Sequence, residues 1–230
     1  MKKLTVLTGA GMSADSGLST FRDSGGLWEG YDIEEVATIS GWERDMATVL
    51  EFYNMRRTQA AKAQPNKGHI AIAELEKYFN VTVVTQNVDD LHERAGSTNV
   101  VHLHGILREA RSSKNPDIVV DIGSKEIKPG DKAEDGSQLR PNIVWFGEPV
   151  PMISEAAEIV MESEIFVVVG TSLVVYPAAS LTDYVNSGVP RFIVDPSTPE
   201  LYSFNNWHHI KETAARGVPK LKNKLIEEYT

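Results

Sequence analysis

The sequence predicts an α/β fold: a Rossmann-like parallel sheet with helices on both faces, plus a small inserted module. Three observations predict it. Short apolar, β-branched runs recur along 230 residues, at 4–8, 81–85, 99–103, 142–146, 165–169 and 191–194. Stretches with helical spacing lie between most of them, and apolar strands alternating with helices mean a parallel sheet covered on both faces. The first run passes directly into Gly9-Ala10-Gly11-Met12-Ser13-Ala14, a G-x-G-x-x-A turn suited to a strand meeting a helix at a phosphate site.

In that turn Gly9 permits a tight bend, Gly11 lets backbone approach a pyrophosphate, and Ala14 is the third small position, where helix and strand pack. The amide dipoles of the new helix favour an anion at its N-terminus. An ordinary β–α turn of small residues reads the same way, so the motif alone decides nothing. A second strand ending in an acid is due about twenty residues on. Residues 16–31 are instead glycine-rich and irregular, with Phe21, Arg22, Leu27, Trp28 and Tyr31. The aromatics argue against disorder, so the stretch reads as a loop closing over a ligand, with Arg22 available to phosphate. A surface loop pinned by aromatic anchors is the alternative.

Residues 32–41 are mixed, and 42–63 read as one helix with Met46, Val49, Leu50, Phe52 and Tyr53 as its apolar residues, stopped by Pro65. Asn66 caps a second helix whose Ile72, Leu75 and Phe79 share a face. The strand at 81–85 ends in Gln86-Asn87-Val88-Asp89-Asp90, before a short helix at 91–95, and the strand at 99–103 ends at His104-Gly105. Residues 106–140 turn polar, with Pro116, Gly123, Pro129-Gly130 and Asp135-Gly136, and offer one short strand at 118–122. They read as an inserted β-rich module. The strand at 142–146 enters Gly147-Glu148-Pro149, and a helix with acids in its first turn covers 154–163. The strand at 165–169 ends in Gly170-Thr171-Ser172, Pro177 opens a helix that Gly188 closes, and 191–194 is the last clear strand, ending in Asp195-Pro196. A helix at about 214–228 finishes the chain.

Composition narrows the function classes. Hydrophobic content of 41% and charged content of 24% are those of a soluble globular protein. A balance of 23 basic against 32 acidic residues, net −9, argues against sequence-independent nucleic-acid binding and against an anionic membrane surface. It tolerates a lysine-rich protein partner. The absence of cysteine excludes disulfides, thiol catalysis and thiolate zinc sites. Met1-Lys2-Lys3 leading into the first strand is read as leaving no room for a targeting peptide, and no apolar run has membrane-spanning length, so a cytoplasmic location is expected.

Ligands of parallel sheets bind beyond the carboxyl ends of the strands. At those ends stand Gly-Ala-Gly, Gln-Asn-Val-Asp, His-Gly, Gly-Thr-Ser and Asp195. One polar strand end is an ordinary capped turn; five make a shared site the better reading. His104 is the strongest acid–base candidate, since it follows a strand, precedes glycine and titrates near neutrality. His102, on the same sheet face, competes with it. His69, His92, His208 and His209 read as hydrogen-bonded structural histidines. A metal on His102 and His104 lacks a third ligand at suitable spacing.

Five stretches in order resemble the sirtuins, the NAD-dependent protein-lysine deacylases. They are Gly9-Ala10-Gly11-Met12-Ser13-Ala14-Asp15-Ser16-Gly17-Leu18 with Phe21-Arg22, Thr85-Gln86-Asn87-Val88-Asp89-Asp90-Leu91-His92, Leu103-His104-Gly105, Arg140-Pro141-Asn142-Ile143-Val144-Trp145-Phe146-Gly147-Glu148 and Gly170-Thr171-Ser172-Leu173-Val174-Val175-Tyr176-Pro177-Ala178. The resemblance implies NAD across the strand ends, with the pyrophosphate at Gly9, Ala10 and Gly11 near Arg22, and Phe21 over the nicotinamide side. Gln86 and Asn87 would contact the nicotinamide ribose. Asp89 would accept from the nicotinamide amide, with Val88 beside it. Gly170, Thr171 and Ser172 would hold the adenosine half. Asp195 stands where the family usually has an Asn on the adenosine ribose, and Ala214 loosely matches an adenine contact. His104 would act as general base on a ribose hydroxyl, with Asn87 as the second catalytic residue. Val144, Phe146, Gly147 and Glu148 would pair as a strand with the substrate backbone. The products would be nicotinamide, free lysine and O-acyl-ADP-ribose.

On this reading residues 1–30, 66–105 and 141–230 form the NAD-binding domain, and 31–65 with 106–140 the small module. Most sirtuins carry four zinc cysteines in that module; this chain has none, nor any histidine at 106–140, so packing alone is expected to hold it and no zinc is expected. Tyr53 and Arg56 are three apart on one helix face, and with Ala37 they look like the class III sirtuins, whose Tyr-x-x-Arg reads malonyl- and succinyl-lysine. Ala37 would leave room for the acid. Expected partners are acylated lysines of proteins, with neither nucleic acid nor membrane. Two other readings stand beside this one: ADP-ribosyl transfer to a protein, and a non-catalytic NAD or ADP-ribose sensor.

Overall fold

The computed structural model describes residues 1–19, 30–198 and 206–230, and the main chain of 27–28. Phe21 and Arg22 lie outside the described residues. Strand β1 (Lys3–Thr8) is buried at five of six positions and turns through Gly9-Ala10 into α1 (Gly11–Ala14), a single turn. A helix that short has little macrodipole, so the anion-holding role expected of its N-terminus reduces to individual amides. A hairpin of β2 (Leu27–Trp28) and β3 (Tyr31–Asp32) leads to α2 (Ile33–Val36), α3 (Ile39–Arg44) and α4 (Met46–Lys62). The one helix expected at 42–63 is therefore two. Asp45 leaves helical geometry at φ −149° and ψ 78°, and its carboxylate caps α4 by accepting the Thr48 N–H at 3.1 Å.

Asn66 opens α5 (Lys67–Leu75) with its side chain, as its position suggests, and His69 Nδ1 accepts the Asn66 N–H at 3.3 Å to complete the cap. Strand β4 (Asn80–Thr85), α6 (Leu91–Ala95) and β5 (Val100–His102) follow. Next come β6 (Gly105–Ser112), β7 (Val119–Asp121) and β8 (Leu139–Ile143), then α7 (Ile153–Met161) and β9 (Ile165–Val169). The helix expected to open at Pro177 is a 3-10 segment, Ala178–Tyr184. The chain ends with β10 (Arg191–Val194), β11 (Trp207–Ile210) and α8 (Ala214–Tyr229).

The main sheet has order β11-β10-β9-β1-β4-β5, with every pair parallel. Alternate residues of its strands serve opposite faces. Leu4, Val6, Val83 and Val167 pack against Ile72 and Leu75 of α5 and Leu221 and Leu225 of α8. Leu7, Val84, Phe166 and Val168 pack on the other side with Val160 of α7 and Leu181. All carboxyl ends thus share one rim. The sixth strand, β11, was not expected after 191–194. As an edge strand it is only partly buried, so Trp207-His208-His209-Ile210 lacks the apolar run that marks a covered strand.

The smaller sheet is antiparallel, β7-β6-β8. Strand β6 runs through the stretch expected to be β-rich but in which only one short strand, at 118–122, was placed. A bulge between Gly105 and Ala110 breaks the period-two pattern that would have revealed it. Strand β8 lies three residues earlier than the run at 142–146 and joins this sheet rather than the parallel one.

Small contacts hold the module. Leu50 of α4 meets Ala110 and Ile127. The Asn54 side chain donates to the Ile127 carbonyl and accepts the Ile127 N–H, both at 2.9 Å. Ser112, 2% exposed, donates to Asp135 at 2.6 Å, lies 2.7 Å from the Ser137 hydroxyl and accepts the Lys114 and Asn115 N–H groups. Glu148 joins Arg140 at 2.8 Å to Arg111 at 3.2 Å and accepts the Trp145 N–H at 2.8 Å.

Candidate active site

The glycine loop is shaped by its neighbour. A Cβ on Gly170, whose φ is +62°, would sit 2.3 Å from the Met12 nitrogen, and one on Gly11 would sit 2.8 Å from the Gly170 Cα. The glycines therefore let the β1 and β9 loops touch, rather than serving only a pyrophosphate. The Gly9 and Gly11 N–H groups are already given to Val169 and Gly170 carbonyls at 3.0 and 2.8 Å, and those of Met12 and Ser13 turn back to Gly9 and Ala10. Among the described residues, the Ala10 N–H is the amide of this loop left open to a ligand.

Beside it, Gln86 Nε2 donates to Thr171 Oγ1 at 3.2 Å, which joins the β4 and β9 ends. Asn87 Nδ2 donates to Ser13 Oγ at 3.1 Å, and Ser13 donates to Asp89 Oδ2 at 2.9 Å. Asp89 is 7% exposed; burial raises its pKa against the Leu91 N–H and Ser13 hydroxyl, which favour the charged form. Behind this row, His92 Nε2 lies 3.2 Å from Thr8 Oγ1, Thr8 donates to Thr85 Oγ1 at 2.8 Å, and the same Thr85 oxygen accepts the Asn87 N–H. Val88 accepts the Leu107 N–H at 2.7 Å, and a cavity of about 240 Å³ beside Val88 and Asp89 is lined by Arg57, Arg94 and Arg108.

The two competing histidines grip successive carbonyls. His104 Nδ1 lies 3.1 Å from the Gln86 oxygen, and His102 Nδ1 lies 3.1 Å from the Asn87 oxygen. A carbonyl only accepts, so each Nδ1 carries hydrogen. His104 is then left with a bare Nε2, and burial lowers its pKa, with the Gln86 carbonyl opposing. A neutral imidazole with an open nitrogen is a base at neutral pH. His102 instead has Glu93 Oε1 2.7 Å from its Nε2, which occupies the nitrogen a base would use. Gly105 is required next: its φ is +79°, and a Cβ there would meet the Asn142 oxygen at 2.0 Å.

The remaining expected residues fall into two groups. Asp195, 6% exposed, ends β10 and accepts the Ser197 N–H at 2.8 Å; Ala214 starts α8, whose Ala215 N–H donates to Asp15 at 3.2 Å. Ser172 is half-buried beside Thr171. On the module side, the Val144 N–H donates to the His104 carbonyl at 3.0 Å and the Phe146 N–H to the Ala37 carbonyl at 2.9 Å. The Glu148 N–H closes a turn onto Trp145, and its carboxylate belongs to the Arg140 cluster. A peptide lying along 144–148 would have to use the other main-chain groups there, Gly147 included. Tyr53 and Ala37 share one apolar cluster with Trp145, whose Nε1 donates to the Tyr53 hydroxyl at 3.0 Å. Arg56 is 7% exposed on the same helix.

Three participants escaped the sequence. Ser13 sat inside the glycine motif without a role, Glu93 is nine residues from His102, and Trp145 reaches Tyr53 across 92 positions; spacing signals none of these. Among the described residues no group of three or more His, Asp or Glu is placed to hold a metal, and no helix is long and apolar enough to cross a membrane.

The chain matches the Sir2 family over residues 9–177. It is 54% identical over 231 residues to a protein of Bacteroides thetaiotaomicron named NAD-dependent protein deacylase, covering 98% of this chain and 99% of that one. A Helicobacter pylori protein of the same name is 50% identical over 227 residues, covering 99% and 97%. The structure superposes on that of a Sir2 homologue in complex with NAD at a TM-score of 0.89, with 39% identity, covering 100% of this chain and 91% of that one. With the family match over residues 9–177 and identities of 54% and 50% over nearly the full length of these relatives, the chain belongs to the Sir2 family, the sirtuins.

Proposed function

We propose that the protein, an NAD-dependent protein deacylase, works by preference on lysines carrying succinyl or malonyl groups, with acetyl as a further substrate. Bound NAD supplies the ADP-ribosyl group that takes the acyl group as nicotinamide leaves. The Ala10 N–H would receive pyrophosphate, Asn87 and Gln86 would orient the nicotinamide ribose, and Gly170, Thr171, Ser172, Asp195 and Ala214 would border the adenosine half. His104 Nε2 would take the proton from a ribose hydroxyl. A Sir2 homologue solved with 2'-O-acetyl ADP ribose, 38% identical at a TM-score of 0.87, agrees with such a product.

The observation that carries the acidic preference is Arg56, a guanidinium 7% exposed on the α4 face that bears Tyr53, with Ala37 in the cluster around Tyr53. A buried guanidinium and a phenol on one face suit a carboxylate at the end of a short acyl chain. The charge-assisted bond at stake is worth about 1.5–3 kcal/mol. Arg56→Met is therefore expected to lower kcat/KM for succinyl peptide by roughly 10- to 100-fold while sparing acetyl peptide. Equal efficiency on both peptides, unchanged in Arg56→Met, would end the proposal. Nicotinamide release that requires an acylated peptide, absent in His104→Ala, separates deacylation from ADP-ribosyl transfer and from a non-catalytic sensor.

A further inference from the structure

His102 sits between two acceptors. Nδ1 is 3.1 Å from the Asn87 carbonyl oxygen and Nε2 is 2.7 Å from Glu93 Oε1. A neutral imidazole has one N–H, so it cannot satisfy a carbonyl and a carboxylate together; the imidazolium can. The ring is well shielded, with a side chain 14% exposed. It clamps Asn87, whose main-chain N–H, main-chain carbonyl and side-chain nitrogen are all held while its side-chain oxygen is given no partner among the described residues. Asn87 gives its N–H to Thr85 Oγ1 at 3.0 Å and its side-chain Nδ2 to Ser13 Oγ at 3.1 Å, and the His102 contact fixes its carbonyl.

We propose that His102 and Glu93 are a positioning dyad, an ion-paired clamp that sets the Asn87 peptide plane and so aims the Asn87 side chain at the nicotinamide ribose. This rests on the reading of Asn87 as a catalytic-site residue. The dyad touches no reacting atom; it acts through Asn87.

The groups facing His102 come from three elements. Glu93 approaches from α6, Asp89 from the loop after β4, and His92 from the first turn of α6; Arg108 of β6 lies toward Glu93. Burial opposes the charged ring, but Glu93, the Asn87 carbonyl and Asp89 outweigh it, and the pKa of His102 rises above 6.5. The clamp is therefore intact below that raised value and lost as pH climbs through it. His104 has the opposite requirement, being useful only when neutral. Together they bound activity on both sides, with His104 on the acid limb and His102 on the alkaline limb.

The test is a pH profile of kcat and of KM for NAD, using acyl peptide, for wild type, His102→Gln, His102→Asn, Glu93→Gln and Asn87→Ala. His102→Gln keeps a donor toward Glu93 and loses the one toward Asn87, and kcat is expected to fall on the order of tenfold. His102→Asn places its amide nitrogen where Nδ1 stood; it should restore most of kcat yet flatten the alkaline limb. Glu93→Gln, at a half-exposed position, should fold normally and move that limb down by about one pH unit. Wild-type kcat in His102→Gln, or an alkaline limb unchanged in His102→Asn and Glu93→Gln, overturns the dyad. Full turnover in Asn87→Ala overturns the underlying reading of Asn87, and the dyad with it.

Discussion

In β9 every residue from Ile165 to Val169 is buried, whereas in β7 all three residues from Val119 to Asp121 are exposed. The two sheets of this molecule differ in how much of each is covered by apolar side chains and how much rests on polar ties. The parallel sheet is clad on both faces and stabilised by apolar burial, at about 25 cal/mol per Å². The antiparallel sheet is clad by α4, through Leu50, Ala110 and Ile127 and through the cluster that joins Leu107 and Ile143 to Phe52, Tyr53 and Trp145, and beyond that cover it leans on polar ties: the Ser112 knot, the Asn54 clasp and the Arg111–Glu148–Arg140 cluster. Directional bonds of that kind depend on each partner, so the module should be brittle where the sheet is tolerant.

The sharpest way to break this contrast is Glu148→Ala. It leaves Arg140 and Arg111 buried beside each other without their shared carboxylate, and the expected loss is about 3–5 kcal/mol, read from urea midpoints. A loss below about 1 kcal/mol would mean that the cluster is no more than a surface ion pair.

Acid should separate the two regions in order. His69 and His92 are buried together beneath the parallel sheet, ring centroids 4.8 Å apart, and burial depresses the pKa of His69 from 6.5 to about 4. A depressed histidine contributes stability that is complete above 6.5 and lost as pH falls toward 4, about 3 kcal/mol in all for His69. Glu148 is held below its ordinary 4.5: burial pushes it up, and Arg140, the Trp145 N–H and Arg111 more than offset that. Its contribution is lost only as pH drops through that lowered value. Urea midpoints from pH 7.5 to 4 should therefore fall first through the histidines, and His69→Asn, which can still accept the Asn66 N–H, should flatten that first fall. A wild-type midpoint constant down to pH 5 would contradict the assignment.

The smallest effect is expected at Ser112→Ala, about 1–2 kcal/mol from the amides and hydroxyls it would leave unpaired. If thermal unfolding of that variant shows the module melting before the sheet, the polar knot is what ties the two together.

The same contrast decided what could be read in advance. Strands β1, β4, β9 and β10 announce themselves because a covered parallel strand reads as a nearly continuous apolar, β-branched run. Asn66 marks its helix because a cap needs that side chain. Strand β6 hid behind its bulge, β11 behind its edge position, and the break at Asp45 behind a helical composition on both sides. At the rim, the residue types were legible and His104 was preferred to His102 for its place before Gly105, but the physical reason was not: Glu93 on His102 Nε2 and the open Nε2 of His104 are set by tertiary placement.

By itself, then, the sequence determined the parallel sheet, the strand ends that meet at one rim, and the family, since those follow from local patterns of apolarity, glycine and polar termini. Tertiary structure alone decided which histidine keeps a free nitrogen, why Gly11 and Gly170 must both be glycine, and how a module without cysteines holds its shape. Each of these depends on atoms brought within about 3 Å from distant parts of the chain, a distance at which hydrogen bonds and steric exclusion act and which no spacing along a single strand or helix encodes.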